Sequence, residues 1–330
     1  MAVRIIGTGS YTPAKILTNQ DLEKIVETSD EWIRTRTGIV ERHIAAENEL
    51  TSDIALNAAK KAIEMAGITP DMLDLISVAS VSGDRPLPST SCILQKKLGA
   101  KNAACYDVLA ACTGLLYSLE IGCAMLTAHK KYRYALVIGA EKLSAITDWE
   151  DRTTCILFGD GAGAVVLKQE ESAEEGFLVA SKIGSMGECA DLLQIPAGGS
   201  ENPATHETVE ARKHYVKMAG QEVFKHAVTG MSRACKETLE NAGIPPEKVA
   251  WIIPHQANMR IITAIANRLD LPSERVFTNI SKYGNTSAAS IGICLDELNR
   301  SGQLKNGDYV LLTAFGGGLT FGAMLIRWFA

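Results

Sequence analysis

The sequence predicts an α/β protein made of two pseudo-twofold-related halves, each with a central sheet and buried helices. Three observations carry this. Apolar runs of strand length alternate with helical patterns along all 330 residues. The runs lack polar alternation, as expected of strands covered on both faces. The second half repeats the grammar of the first, element by element.

In chain order, AVRIIG reads as a first strand and the GTGSYTP after it as a tight turn. SDIALNAAKKAIEMAG has apolar residues at three- and four-residue spacing and predicts a helix. DLISVAS, NAACYDVL and YALVIGA are buried strands, with the helix CTGLLYSLEIGCAMLTAH between the last two. FGDGAGAVVL gives a turn and a further strand. Thereafter GIPPEKVAWIIPHQANMR repeats GITPDMLDLISVAS as helix end, proline turn and strand. RVFTNISKYGNTSAASIGICLDEL answers NAACYDVLAACTGLLYSLE, and GDYVLLTAFGGG answers YRYALVIGAEK. The seam falls in the charged stretch from Glu170 to Glu175, giving halves 1–172 and 173–330. One repeat per half is too few for a solenoid.

The bulk composition narrows the function classes. A net charge of -5, with 46% hydrophobic and 22% charged residues, is that of an ordinary globular protein without the basic excess of a nucleic-acid binder. No apolar run approaches the ~20 residues of a membrane span, and the first apolar run is too brief for a signal peptide. The expectation is a cytoplasmic protein with no nucleic-acid or membrane partner. None of the eight cysteines forms a C-x-x-C pair, and no His/Cys spacing suits a metal. Most are expected to be buried fillers.

Loops at the C-terminal ends of strands are where α/β folds place their chemistry, and three candidates lie there. Cys112, in AACTG, opens a long helix, where unpaired N–H groups and the helix dipole favour a thiolate. His255 follows the strand WIIP, with Gln256 and Asn258 beside it. Asn285 lies in YGNTSAAS, in the place that matches Cys112 in the other half. The run AFGGGLTFG offers backbone N–H groups for an oxyanion hole. FGDGAGA and GTGSYTP lack the G-x-G-x-x-G spacing, and no P-loop occurs, so NAD and ATP are not supported.

Taken together, SDEWIRTRTGI, AACTG, DWEDRTTCILFGDGAGA, IIPHQANMRII, YGNTSAAS and AFGGGLT resemble β-ketoacyl-acyl-carrier-protein synthase III over nearly the whole chain. That family has the thiolase fold and begins type II fatty acid synthesis. The resemblance implies a homodimer whose substrates are acyl-CoA and malonyl-acyl-carrier protein, with no metal and no cofactor. It implies that Cys112 carries the acyl group, that the N–H groups of Cys112 and Gly317 hold the oxyanion, and that His255 and Asn285 stabilise an enolate. Trp32, Arg36, Arg152, Gly220 and Asn258 match CoA-contacting positions, and Lys225, Arg260 and Arg268 match the carrier-protein patch. Leu87, Leu143, Leu157, Phe158 and Met218 match the acyl pocket, with Leu87 reaching into the partner's. The chain departs from the pattern at Asn267, where a second basic residue is common, at Gln221, which replaces an Asn, and at Leu87, where Phe is frequent. The alternatives are another thiolase-fold condensing enzyme of secondary metabolism, or a non-catalytic CoA-binding homologue, which the intact Cys-His-Asn set argues against.

Overall fold

In the computed structural model, residues 2–171 and 175–329 are described. The expected boundary between residues 172 and 173 lies outside the described residues. The first half runs through β1 (Ala2–Tyr11), β2 (Lys15–Thr18), α1 (Asn19–Leu22), α2 (Asp30–Thr37), β3 (Glu41–Ile44), α3 (Thr51–Ala66) and β4 (Leu75–Ala79). It continues with α4 (Thr90–Leu98), β5 (Ala104–Val108), α5 (Gly114–Ala128), β6 (Tyr134–Glu141) and β7 (Gly161–Glu170). The second comprises β8 (Leu178–Ser185), β9 (Leu193–Gln194), α6 (His206–Glu210), β10 (Lys217–Met218), α7 (Gly220–Ala242) and β11 (Val249–Pro254). It ends with α8 (Met259–Arg268), α9 (Ile280–Tyr283), α10 (Ser290–Arg300), β12 (Tyr309–Gly316) and β13 (Thr320–Arg327).

The apolar runs form two sheets. The first has the order β1-β7-β6-β4-β5, with β4 parallel to β5 and β6, and β7 antiparallel to β1 and β6. The second has the order β8-β13-β12-β11, with β11 and β12 parallel and β13 antiparallel to its neighbours. A lone bridge between Ile252 and Val276 takes the place that β5 fills in the first sheet. β4 answers β11 and β6 answers β12, as the sequence predicts, and β7 and β1 further answer β13 and β8.

Two helices lie between the sheets. Leu115, Leu116 and Leu119 of α5 and Ile291, Leu295 and Leu298 of α10 share one core with strands of both sheets. On the outer faces, α3 packs on β4, β6 and β7, and α7 packs on β12 and β13. The result is five layers, helix–sheet–helix–sheet–helix. An 18-residue window over Ala111–Ala128 has mean hydropathy 1.3, enough by length and composition for a membrane span, contrary to the expectation of no such run. Half of that window is buried inside the fold, because α5 is a core helix enclosed on two sides.

Two glycine-rich stretches differ from the expected turns. β1 continues through GTGSY with a register shift between Ile5 and Gly7, and a Cβ at Gly7 or Gly9 would meet the carbonyl oxygens of Ala62 or Ala58 on α3 at 2.3 Å. Likewise β7 begins within FGDGAGA, and a Cβ at Gly163 would meet the Gly292 backbone at 2.4 Å. These glycines admit helices, not bends. Of the cysteines, 155, 235 and 294 are buried, 92 is exposed and the other four are half-buried.

The matching turns of the two halves are shifted from the expected register. Ala111 and Ser287 both adopt left-handed backbone, at φ 46° and 47°, each starting a single 3-10 turn before α5 or α10. Cys112 therefore answers Ala288, and Asn285 lies three residues earlier.

Candidate active site

A cavity of about 550 Å³ opens between the halves, lined by Cys112, His255 and Asn285. Three separate devices bring these side chains to it. Cys112 is set by the left-handed Ala111 and by Thr113, whose hydroxyl donates to the Ala110 carbonyl (2.6 Å) and bonds Thr320 (2.8 Å). A Cβ at Gly316 would sit 2.6 Å from the Cys112 nitrogen, so the backbone of AFGGG closes directly on the nucleophile's peptide. Gly317 lines the cavity beside it.

The thiol is not poised as the helix-start argument expects. Burial pushes it up to about 12, with the Ser287 hydroxyl pulling it down and Glu141 pushing it further up. Desolvation is the largest of these influences and favours the protonated thiol.

His255 ends β11, its N–H donating to the Thr313 carbonyl at 2.7 Å. Burial lowers its pKa to about 3 and keeps it neutral. Its Nδ1 lies 2.7 Å from the Ser290 hydroxyl. That hydroxyl also accepts the Gln256 N–H at 3.4 Å, leaving its own proton for Nδ1. The ring proton is then on Nε2, a buried atom with no protein partner.

Asn285 is clamped in a backbone crossing. Its N–H donates to the Leu157 carbonyl (2.8 Å), its carbonyl accepts the Gly159 N–H (3.0 Å), and it bridges Phe158. The side-chain oxygen accepts the Ser287 N–H at 2.8 Å, which leaves the amide NH₂ as the free end. His255 and Asn285 thus both present donors, as stabilisation of an enolate oxygen requires.

Behind the cavity lies Glu141, fully buried, a residue absent from the sequence-based expectations. Its Oε2 accepts from the Ser80 and Ser82 hydroxyls (3.1 and 2.5 Å) and the N–H groups of Val81 and Ser82 (both 3.1 Å). Burial raises its pKa to about 7. The loop it holds places Val81 on the cavity wall.

The other expected residues divide. Trp32, Arg36 and Arg152 come together, with the guanidinium carbons of Arg36 and Arg152 5.9 and 5.5 Å from the Trp32 ring centre. Ser29 caps α2, and Gly38, left-handed at its end, admits Met259 of α8, so this cluster docks beside the cavity. Gly220 and Asn258 line the cavity, and the Asn258 oxygen also caps α8 by accepting from Arg260 N (2.8 Å). Leu143, Leu157, Phe158 and Met218 line it as expected.

Leu87 does not line its own chain's cavity; it is 83% exposed. Leu109, which sequence reasoning missed, lines the cavity yet is 81% exposed. Val216, Val223 and Phe315 were also missed. The signals were α7's apolar stripe at Val223 and the run AFGGGLTFG at Phe315. Lys225 and Arg260 are exposed, and Arg260 lies over Phe224, a cavity residue. Arg268 stands apart, roughly 12 Å further along α8. It lines a separate cleft of about 580 Å³ with Lys236 and Asp270. Asn267 is exposed. Among the described residues no group of three or more His, Cys, Asp or Glu could hold a metal ion.

Comparison with known proteins agrees with this architecture. Two family models match, 3-oxoacyl-[acyl-carrier-protein] synthase III over residues 106–187 and its C-terminal counterpart over 239–328. The chain is 52% identical to β-ketoacyl-[acyl-carrier-protein] synthase III of Caldanaerobacter subterraneus, over 99% of this chain and 98% of that one. The crystal structure of the Aquifex aeolicus 3-oxoacyl-[acyl-carrier-protein] synthase III superposes with TM-score 0.90 at 49% identity, covering 99% and 100% of the two chains. A priming β-ketosynthase from the R1128 polyketide pathway superposes with TM-score 0.91 at a lower identity, 32%, covering 99% and 96%. Fold and site together define a thiolase-fold condensing acyltransferase. Within that class, the chain belongs to the β-ketoacyl-[acyl-carrier-protein] synthase III family, the enzymes that initiate type II fatty acid synthesis.

Proposed function

We propose that Cys112 takes a short acyl primer from acyl-CoA and that the cavity then condenses it with malonyl-acyl-carrier protein. The Cys112 sulfur attacks the acyl thioester, and its proton ends on the departing CoA sulfur. The N–H groups of Cys112 and Gly317 hold the tetrahedral oxyanion. In the second half-reaction the malonyl carboxylate leaves as carbon dioxide. The electron pair moves into the thioester carbonyl, where Nε2–H of His255 and the Asn285 amide stabilise it. The resulting carbanion attacks the acyl carbon and releases Cys112, giving β-ketoacyl-acyl-carrier protein. No separate electron sink is needed, because the thioester carbonyl fills that role. The observation that carries this reading is the pair of oriented donors, His255 Nε2 and the Asn285 amide, on one cavity with a nucleophile.

The handles follow. Adenine would stack between Trp32 and Arg152, displacing the guanidinium from the ring, with Arg36 toward the phosphates and Gly220 and Asn258 along the pantetheine arm. Lys225 and Arg260 would receive the acidic carrier protein, and Arg268, from its own cleft, would act only at the edge of that contact. The exposure of Leu87 and Leu109, together with the free edge of β5, supports a homodimer in which the partner completes the acyl pocket. Residues 1–172 and 173–330 are proposed as the duplicated units, and the cytoplasm as the place where these substrates are met. Intact-mass and peptide mapping after incubation with acetyl-CoA tests the central assignment. Cys112 alone should gain the acyl group, and a label on Cys92 or Cys155 that persists in Cys112→Ser would sink it.

A further inference from the structure

The largest side chain buried without any exposure is a charged one. Arg42, on β3, has no carboxylate within ion-pair distance among the described residues. Its guanidinium donates to neutral oxygens: Nη1 to the Leu17 carbonyl (3.2 Å) and the Asn19 side chain (2.9 Å), and Nη2 to the Ile156 carbonyl (2.7 Å). Nε finds no protein acceptor. Burial lowers the guanidinium to about 10, with Cys155 and Glu41 pulling it back up, so the charge persists at neutral pH. An unpaired buried cation is costly, and its surroundings give a reason for it.

The Ile156 carbonyl opens the segment that clamps Asn285. Leu157 accepts the Asn285 N–H, and Gly159 donates to its carbonyl. The Arg42 stem fills the floor of that crossing, since a Cβ at Gly159 or Gly284 would lie 3.1 or 3.2 Å from the Arg42 Cβ. On the other side, Asn19 passes the contact on. Its NH₂ donates to Asp30 at 2.8 Å, and Asp30 opens α2, the helix of Trp32 and Arg36.

We propose that Arg42 is a positioning residue for the condensation half-reaction, bracing the Ile156–Gly159 segment against Asn285 and tying that brace to α2. The inference rests on the proposed role of Asn285. A guanidinium suits the task because its rigid planar fork aims Nη1 at Asn19 and Nη2 at Ile156 in fixed directions, whereas an ammonium is a single point of charge on a flexible stem. Its Nη2 holds the Ile156 carbonyl, one peptide unit from the Leu157 carbonyl that accepts the Asn285 N–H.

The test separates the two half-reactions. Cys112 acylation by acetyl-CoA and decarboxylation of malonyl-acyl-carrier protein are measured for the full-length enzyme, Asn285→Ala, Arg42→Met and Arg42→Lys. Arg42→Met should lose decarboxylation about tenfold or more while acylation stays within about twofold. Arg42→Lys, which keeps the charge but not the fork, should show the same one-sided loss at reduced size. If Arg42→Met does not fold, the one-sided loss in Arg42→Lys carries the test. Parallel loss of both half-reactions in a cooperatively folded variant, or no loss in either, overturns the proposal. Native-rate decarboxylation by Asn285→Ala would instead remove the reading of Asn285, and the inference with it.

Discussion

At the residue scale, two buried titratable groups beside the nucleophile are shifted in opposite directions. His255 is lowered from 6.5 to about 3, and Glu141 is raised from 4.5 to about 7, each chiefly by burial. His255 is therefore held neutral at neutral pH, Glu141 takes up its proton as pH falls through about 7, and the two respond oppositely to acid. Below pH 6.5 the unfolded chain takes a proton at residue 255 that the folded site refuses, so His255 costs stability as pH falls toward 3. Glu141 does the reverse: the folded state protonates first, so its contribution is full below pH 4.5 and is lost as pH rises through 7. Urea unfolding between pH 5 and 8 should show His255→Gln gaining on the native enzyme as pH falls, and Glu141→Gln gaining as pH rises. pH-independent differences would contradict both assignments.

At the scale of elements, a backbone-to-backbone contact of β7 and α10 constrains the site. Ser290, which orients His255, begins α10, and α10 meets β7 where Gly163 faces Gly292. Gly163→Ala should lower stability by about 1–3 kcal/mol, as overpacking does. Gly187→Ala, with open space around it, should be near neutral. Thermal unfolding of both variants checks this, and equal melting points would contradict it. The same contact explains what sequence reasoning could see. Strands and helices were legible because apolar spacing is local. Glycines 7, 9 and 163 were read as turns because the reason for each is a helix distant in the chain. Arg42 and Glu141 went unnoticed because a charged residue in a polar segment, or at the end of an apolar strand, suggests surface, and their burial depends on partners brought by the fold. Cys112 and His255 were legible because each follows a strand end or opens a helix, and Asn285 because it stands in the small-residue motif YGNTSAAS. The shift of the matching turns by three residues was not, since it depends on the left-handed backbone at Ala111 and Ser287.

At the scale of the whole molecule, a chain of net charge -5 must receive an acidic partner through local positive charge. Arg260, exposed over Phe224 at the cavity, is well placed for this. Arg260→Glu should raise KM for malonyl-acyl-carrier protein and weaken its salt dependence, while primer use with acetyl-CoA changes little. Steady-state kinetics over a salt series decides, and equal losses for both substrates would place Arg260 outside the docking surface. The layering has another consequence, for the order in which the chain can be made. The apolar α5 is enclosed partly by α10 and by strands of the second sheet, all encoded far downstream. At ribosomal speeds of ~5–20 residues per second, α5 emerges roughly ten to thirty-five seconds before α10. For that interval the nascent first half carries a greasy helix with one face uncovered, open to contact with neighbouring chains.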